Sequence, residues 1–486
     1  MNEELRDVLV HYWPHVVLVV SLVASLATAI HAAMTKEDVR SAIGWVAVVI
    51  FSPLLGALFY LFAGVNRVRR QRVAQQRQLA RQDRLRLDRH EAKQLPVEFD
   101  TYLHALQRLG DEVCENALLT GNRVELLDGG DETYRSMLAA IEQAQSSIAL
   151  QSYIFDHDRI GQQIAQALIA AHERGVAVRV LIDAVGAKYS RPPITRMLER
   201  AGVPVARFLP TAIGIRLVYA NLRSHRKLLV ADGWLALMGG MNIREGFMRE
   251  FAGESLASDT HFRVQGPIAC QLVQSFAHDW EFTTGERLEG ASWYCANLPS
   301  EEGRGVATRL VLSGPDRSVS RNQSMLLGAL SVARTHVRIQ SPYFLPESTL
   351  MGALMTAARR GVIVDVVIPA ENNLKLVSAA MEAQLGLVLK GGVRVWRAKG
   401  GFDHSKLMTI DGQWSYVGSS NVDPRSQRLN FELDLEVFDR TLTAQIDQRI
   451  DAKIAHAQRA TLAELARRPF WRRLRNRLVW LATPLL

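Results

Sequence analysis

The chain has 486 residues, 48% of them hydrophobic and 22% charged, with a formal net charge of +9. That length and apolar content exclude a disordered or low-complexity protein and leave room for two or three domains. The positive balance calls for a polyanionic partner, either nucleic acid or an anionic membrane surface.

The N-terminus separates these two partners. From Tyr12 to Met34 the chain is almost wholly apolar and carries no formal charge, and a second charge-free run from Ala42 to Val65 contains Pro53. Each run is long enough to cross a hydrocarbon core about 30 Å thick at about 1.5 Å per residue. Residues 1–66 therefore read as a transmembrane hairpin with spans at about 12–34 and 42–65. The leader MNEELRD is acidic on balance, and a second span follows at once, which argues against a cleaved signal peptide. Residues 67–114 form a basic juxtamembrane linker, opening with an arginine-crowded stretch. By the positive-inside rule everything after Val65 is expected on the cytoplasmic side of a bacterial inner membrane.

Past about residue 115 the chain repeats itself. IEQAQSSIALQSYIF (141–155), LIAAHERGVAVRVLID (168–183), LERAGVPVARF (198–208) and HRKLLVADGWLALMGGMN (225–242) recur in the same order. Their counterparts are LSVARTHVRIQSPYF (330–344), LMTAARRGVIVDVVIP (354–369), LVLKGGVRVWRA (387–398) and HSKLMTIDGQWSYVGSSN (404–421). Such a long offset signals a duplicated unit rather than a short solenoid repeat. Within each unit a helical pattern (Ile164, Leu168, Ala171) runs into a glycine stop, Gly175, and then a valine-rich strand. The expectation is an α/β fold, a mixed sheet with helices on both faces. The lobes are expected at 115–288 and 307–460, with a linker at 289–306. Residues 461–486 form a basic amphipathic helix with Phe470, Leu474, Leu478 and Leu481 on one side, suited to an anionic bilayer or to packing on the second lobe.

Two short motifs stand at equivalent places in the repeat. His225, Lys227 and Asp232 have the spacing H-x-K-x-x-x-x-D, and His404, Lys406 and Asp411 repeat it. Gly239-Gly240-x-Asn242 and Gly418-Ser419-x-Asn421 follow each aspartate at the same distance. Imidazole near neutral pKa suits a nucleophile or an acid for phosphodiester exchange. Lys227, Lys406, Asn242 and Asn421 are donors for charge on phosphoryl oxygens. No zinc-protease motif or phosphate-binding G-x-x-x-x-G-K-[ST] loop is present, and the cysteines Cys114, Cys270 and Cys295 are far apart without C-x-x-C. A reaction without metal or nucleotide cofactor is expected.

The doubled motif resembles the phospholipase D superfamily. The N-terminal hairpin, the YIF and PYF blocks at 153–155 and 342–344, and the basic C-terminus make the chain similar to bacterial cardiolipin synthases. This resemblance implies two lobes related by a pseudo-twofold axis, with both motifs meeting at one site. It implies phosphatidyl transfer between two phosphatidylglycerol molecules, with glycerol released, in an anionic bilayer and without nucleic acid. It points to His225 as nucleophile, forming a phosphatidyl-histidine, and to His404 as acid and then base. Asp259 is implied as the orienting carboxylate of His225 and Glu432 as that of His404, while Asp232 and Asp411 look structural. A phospholipid hydrolase, or a synthase taking phosphatidylethanolamine as donor, stays open. Gly240 and Ser224 depart from the serine and the larger amide common at those positions. The stretch GGDET (129–133) reads as a turn between strand and helix, His261 and His336 as ordinary strand residues, and His157 as a solvated loop residue.

Overall fold

The structure is a computed structural model and describes residues 3–36, 39–61, 95, 99–210, 222–293, 305–316 and 318–481. The arginine-crowded stretch, most of the expected interlobe linker and residues 482–486 lie outside the described residues. The chain divides into two compact units, residues 1–75 and 76–486.

In the first unit, helix α1 (Glu3–Thr35) covers the first apolar run, and His11–Thr35 is long and apolar enough to cross a membrane. The second run corrects the expectation of one continuous span. It folds as α2 (Val39–Phe51), breaks at Ser52, and restarts as α3 (Pro53–Phe59). Pro53 explains the break, because its ring disfavours helical geometry at the preceding residue and it offers no N–H. Ser52 accordingly takes φ −143° and ψ 72°. At 13 residues α2 reaches only about 20 Å. The two runs still pack together: Ser25 Oγ donates to the Val49 carbonyl at 2.9 Å, and the His31 Nδ1 and Tyr60 hydroxyl lie 2.8 Å apart.

The second unit shows the duplication strand by strand. The first half supplies β1 (Leu119–Asp128), β2 (Ser147–Ser152), β3 (Ala177–Asp183), β4 (Val205–Phe208), β5 (Arg223–Ser224), β6 (Leu228–Ala231), β7 (Leu235–Gly239) and β8 (Thr260–Gln265). The second supplies β9 (Val306–Ser313), β10 (His336–Gln340), β11 (Ile363–Pro369), β12 (Arg394–Ala398), β13 (Leu407–Ile410), β14 (Trp414–Gly418), β15 (Asn430–Phe438) and β16 (Gln458–Arg459). The first half is ordered β4-β3-β2-β6-β7-β8-β1 and the second β9-β15-β14-β13-β10-β11-β12-β16, joined through β1 and β9 into one mixed sheet. β2, β3 and β4 are parallel, as are β10, β11 and β12, while the hairpins β6–β7 and β13–β14 run antiparallel.

Both faces of this sheet are covered, as the unbroken apolar strands require. On one face Ile148 and Leu150 of β2 pack with Ile164 and Leu168 of the helix Arg159–Glu173. On the other, Gln151 reaches Asp279 of the helix Pro267–Thr284. Gly175 ends the first of these helices at φ +90°, and Gly361 does the same in the second half at φ +93°. GGDET is the expected strand–helix junction, with Gly129 at φ +83° between β1 and the helix Gly130–Gln143. His336 opens β10 and bonds Asp365 at 2.8 Å, His261 is buried in β8, and His157 is half-buried against the Pro192 carbonyl.

The C-terminal helix Phe470–Leu481 packs on the helix Lys375–Lys390, where Asn476 Nδ2 donates to Glu382 at 2.8 Å. Phe470, Trp471, Leu478 and Leu481 remain exposed on its outer side, and Leu474 is half-buried.

Candidate active site

Each motif begins before its strand and ends at a turn. Asp232 and Asp411 take φ +52°, followed by Gly233 and Gly412 at φ +70° and +67°. These Asp-Gly pairs form the tight turns of the hairpins β6–β7 and β13–β14, where positive φ at both central residues matches strand twist. The Asp232 carboxylate accepts from the N–H groups of Gln145, Ser146 and Ser147, and Asp411 accepts from Arg334, Thr335 and His336. Each aspartate thereby ties its hairpin to the start of the neighbouring strand. At about 3.3 Å per residue along the strand, each lies roughly 20 Å from its motif histidine. Asp232 and Asp411, the third members of the two sequence motifs, tie the hairpins to neighbouring strands, as the resemblance implied, at the ends of the motifs away from the histidines. Asp411→Ala should lower stability by about 2 kcal/mol while leaving turnover per folded molecule unchanged. Thermal denaturation together with activity normalised to folded protein measures both.

The other ends of the motifs converge. His225 and His404 face each other with ring centroids 6.5 Å apart and planes at 77°. Both are nearly buried. This convergence arises because each motif's leading segment crosses to the opposite lobe. β5 pairs in parallel with β15, and the His225 N–H donates to the Phe431 carbonyl at 2.9 Å. Reciprocally, the His404 N–H donates to the Ser258 carbonyl at 2.7 Å, beside a bridge between Ser258 and Asp403.

That crossing reverses the expected carboxylate pairing. His225 Nδ1 bonds Glu432 at 2.9 Å, and His404 Nδ1 bonds Asp259 at 2.8 Å. His225 Nδ1 meets only acceptors, Glu432 and the Ser419 carbonyl, so it carries the proton, while His404 Nδ1 meets both Asp259 and Lys406 Nζ, each at 2.8 Å; in both rings Nε2 is left for chemistry. Glu432 and Asp259 are fully buried. Ser419 Oγ donates to Glu432 at 2.6 Å. At its counterpart, Gly240, a Cβ would come within 2.5 Å of the Asp259 carboxylate as that side chain now stands.

Lys227 Nζ donates to the His225 carbonyl at 2.6 Å, and Lys406 Nζ bonds the His404 carbonyl in the same way. The asparagines support the adjoining loops. Asn242 Oδ1 accepts from the Ile154 N–H at 3.2 Å, and the Asn421 N–H donates to Ser426 Oγ at 3.1 Å. Gln151 Nε2 donates to Ser224 Oγ at 2.9 Å.

The site sets two lysines and two carboxylates around the histidines in a dry setting. Burial, then Lys227 and Lys406, push the His225 imidazole well below its ordinary range. Burial and Lys406 lower His404 to about 4, with Asp259 opposing. Burial brings Lys227 down to about 7 and Lys406 to about 8. Burial would raise Asp259, but Lys406 and the His404 bond outweigh it and keep this carboxyl below its usual range. Every group here that binds a proton would bind it more firmly beside an anion, so the arrangement is suited to a phosphate.

Several surrounding residues escaped the sequence reading. Arg226 is buried and donates to Asp279 at 2.8 Å beneath His225, and the Asp183 carboxylate accepts from the Ser224 N–H at 2.9 Å. Asp403 under His404 is paired with Arg449 and Lys453. Tyr153 packs on His225, and Tyr343 and Phe402 pack on His404. The repeated Gln-Ser pairs, Gln151-Ser152 and Gln340-Ser341, and the tyrosine shortly after each, Tyr153 and Tyr343, were visible signals. Asp403 and Phe402 have no repeat counterpart and gave none.

The family described as cardiolipin synthase, PLD-like domain, matches residues 137–280 and 326–454, and that described as phospholipase D-nuclease N-terminal matches residues 23–64. Cardiolipin synthase A of Yersinia pseudotuberculosis is 32% identical over 460 residues, covering 93% of this chain and 94% of that protein. Cardiolipin synthase A of Edwardsiella ictaluri is 30% identical over 461 residues, with the same coverage. Phosphatidylserine synthase of Haemophilus influenzae shares the fold at a TM-score of 0.60 and 17% identity, over 78% of this chain and all of that one.

Proposed function

Because the chain belongs to the cardiolipin synthase family of phospholipase D-like proteins, we propose that it joins two phosphatidylglycerol molecules through a phosphatidyl-histidine at His225. The chain is a phosphatidyltransferase. The observation that carries the mechanism is the facing pair of histidines, each with its own lysine and a carboxylate from the opposite lobe.

Lys227 and Lys406 draw the donor phosphate between the rings, and its charge firms the protons on both lysines. His225 Nε2 attacks phosphorus while His404 gives its proton to the leaving glycerol oxygen. A second phosphatidylglycerol then enters, His404 takes the proton from its glycerol hydroxyl, and that oxygen displaces His225. Burial and the neighbouring lysines lower both imidazoles below their ordinary range, and the negative charge of a bound phosphate favours a proton on either ring. The choice of His225 as nucleophile follows the resemblance of the first motif to that of the phospholipase D superfamily. Asp259 and Glu432 orient the two rings. One phosphodiester replaces another, so no nucleotide is needed to drive the exchange.

Purified protein incubated with labelled phosphatidylglycerol alone, in excess chelator, tests the reading. Cardiolipin with one glycerol per turnover is expected; phosphatidic acid with glycerol indicates a hydrolase, and activity only with added phosphatidylethanolamine indicates a different donor. The pH dependence is also set. kcat/KM should fall as pH rises through about 7–8, where Lys227 and Lys406 lose charge in the free enzyme. Bound phosphate holds those protons, so the alkaline limb of kcat should lie at higher pH than that of kcat/KM. Coincident limbs would show that neither lysine meets the phosphate.

We read α1 as one membrane span and residues 39–61, broken at Pro53, as a second, with the lobes at 115–288 and 307–460 on the cytoplasmic side of the bacterial inner membrane. The arginine-rich sequence after Val65 supports that orientation. Reporter fusions at position 38 and after the C-terminus should fall on opposite sides; a periplasmic signal from the C-terminal fusion overturns it.

A further inference from the structure

We infer that Phe402 and Tyr343 set the ratio of transfer to hydrolysis, by walling the side of His404 at which the second alcohol is deprotonated. This rests on the cardiolipin synthase reading above and adds what selects alcohol over water.

The geometry is a three-ring cluster. The Phe402 centroid lies 5.9 Å from that of His404, Tyr343 lies 6.1 Å from it, and Phe402 and Tyr343 are 6.3 Å apart. His404 Nδ1 is committed to Asp259, so the edge bearing Nε2 is the one on which a nucleophile can be activated. Only 8% of this residue is exposed, so the rings of His225, Tyr343 and Phe402 define much of what approaches it.

Both aromatic residues are held in place. The Tyr343 hydroxyl bonds Asn373 Oδ1 at 2.9 Å. The Ser258 N–H donates to the Phe402 carbonyl at 3.0 Å. Next to Phe402, Gly401 lies so close to the first lobe that a Cβ there would come within 1.9 Å of the Leu256 carbonyl oxygen. Phe402 is thus pinned by its backbone to the lobe that supplies Asp259.

The wall is one-sided. The residue two before His225, at the place of Phe402, is Arg223, whose Nη1 donates to the Leu222 carbonyl at 2.7 Å. His225 has Tyr153 over its ring at 5.4 Å, but no second aromatic at that backbone position. The apolar wall therefore stands beside the base and not beside the nucleophile.

Its chemical consequence concerns the second half of the cycle. In transfer, the glycerol hydroxyl oxygen bonds phosphorus, its proton goes to His404 Nε2, and the P–N bond breaks with its electron pair returning to His225. In hydrolysis water takes the same part and phosphatidic acid leaves. Two aromatic faces offer a water molecule no partners to hold it for attack. A glycerol headgroup carries its own C–H surface to lie against those rings, and its lipid anchorage positions the hydroxyl.

The experiment uses full-length protein in phosphatidylglycerol vesicles and measures the ratio of phosphatidic acid to cardiolipin formed. Phe402→Ala should raise that ratio by about tenfold or more, as expected for opening a water path to an activated base. Phe402→Leu, which stays apolar, should raise it less, and Tyr343→Phe, which keeps the ring, should stay near the wild-type ratio. Should Phe402→Ala fail to fold, Phe402→Ser and Tyr343→Leu make the same comparison. A wild-type ratio in every folded variant that shortens either ring overturns the inference, whatever happens to the rate. Wild-type protein that yields no cardiolipin from phosphatidylglycerol instead overturns the underlying function.

Discussion

Replacing either His225 or His404 with alanine removes cardiolipin synthesis, each by at least about a thousandfold, with the double variant falling little further. The losses do not add because both imidazoles serve one covalent cycle. Without His225 no phosphatidyl-enzyme forms, and without His404 the glycerol alkoxide leaves unprotonated. The backbone of both segments is secured by bonds to the opposite lobe, through the Phe431 and Ser258 carbonyls, so both variants should fold. Activity measured on membrane-extracted, folded protein decides the matter. More than a few per cent of activity in either single variant contradicts the two-histidine mechanism.

The second large effect follows from the crossed carboxylates. Glu432→Gln acts on His225 and Asp259→Asn on His404, and each should lower turnover by about a hundredfold to ten-thousandfold, because the neutral amide no longer supports an imidazolium or fixes the tautomer. The two losses should differ in kind. Glu432→Gln impairs formation of the phosphatidyl-enzyme, whereas Asp259→Asn also slows its transfer onward to the second alcohol. Nitrogen NMR of labelled histidine assigns the pairing directly: Glu432→Gln should perturb the His225 ring and leave His404 nearly unchanged, and Asp259→Asn the converse. Perturbation of His225 by Asp259→Asn would restore pairing within each lobe.

The legible part of this site was what the duplication repeats. His225 and His404, Lys227 and Lys406, and the buried strands Leu228–Ala231 and Leu407–Ile410 were each confirmed in place by the other copy. Symmetry also hid the pairing, because Asp259 and Glu432 stand at equivalent places in the duplicated unit. What decides it is the path of residues 223–225 and 402–404 alongside the opposite lobe, a tertiary fact with no local signature. Asp232 and Asp411 illustrate the converse: their identity was plain, and the Asp-Gly turn chemistry explains them without catalysis. In the N-terminal unit Pro53 carried the information needed to foresee the break at Ser52, but hydropathy alone gives no weight to one proline. Phe402 lacks a repeat partner, so nothing short of its packing on His404 and Tyr343 distinguishes it from an ordinary loop phenylalanine.

The central claim is a single site assembled from both lobes with its covalent bond at His225, and one measurement reaches it most directly. Protein quenched during turnover of labelled phosphatidylglycerol, digested and mapped by mass spectrometry, should carry the phosphatidyl group on the peptide containing His225 and lose it on chase with unlabelled phosphatidylglycerol as label appears in cardiolipin. An adduct on His404 would reverse the two roles, and label that reaches cardiolipin with no adduct on either histidine would contradict the covalent account altogether.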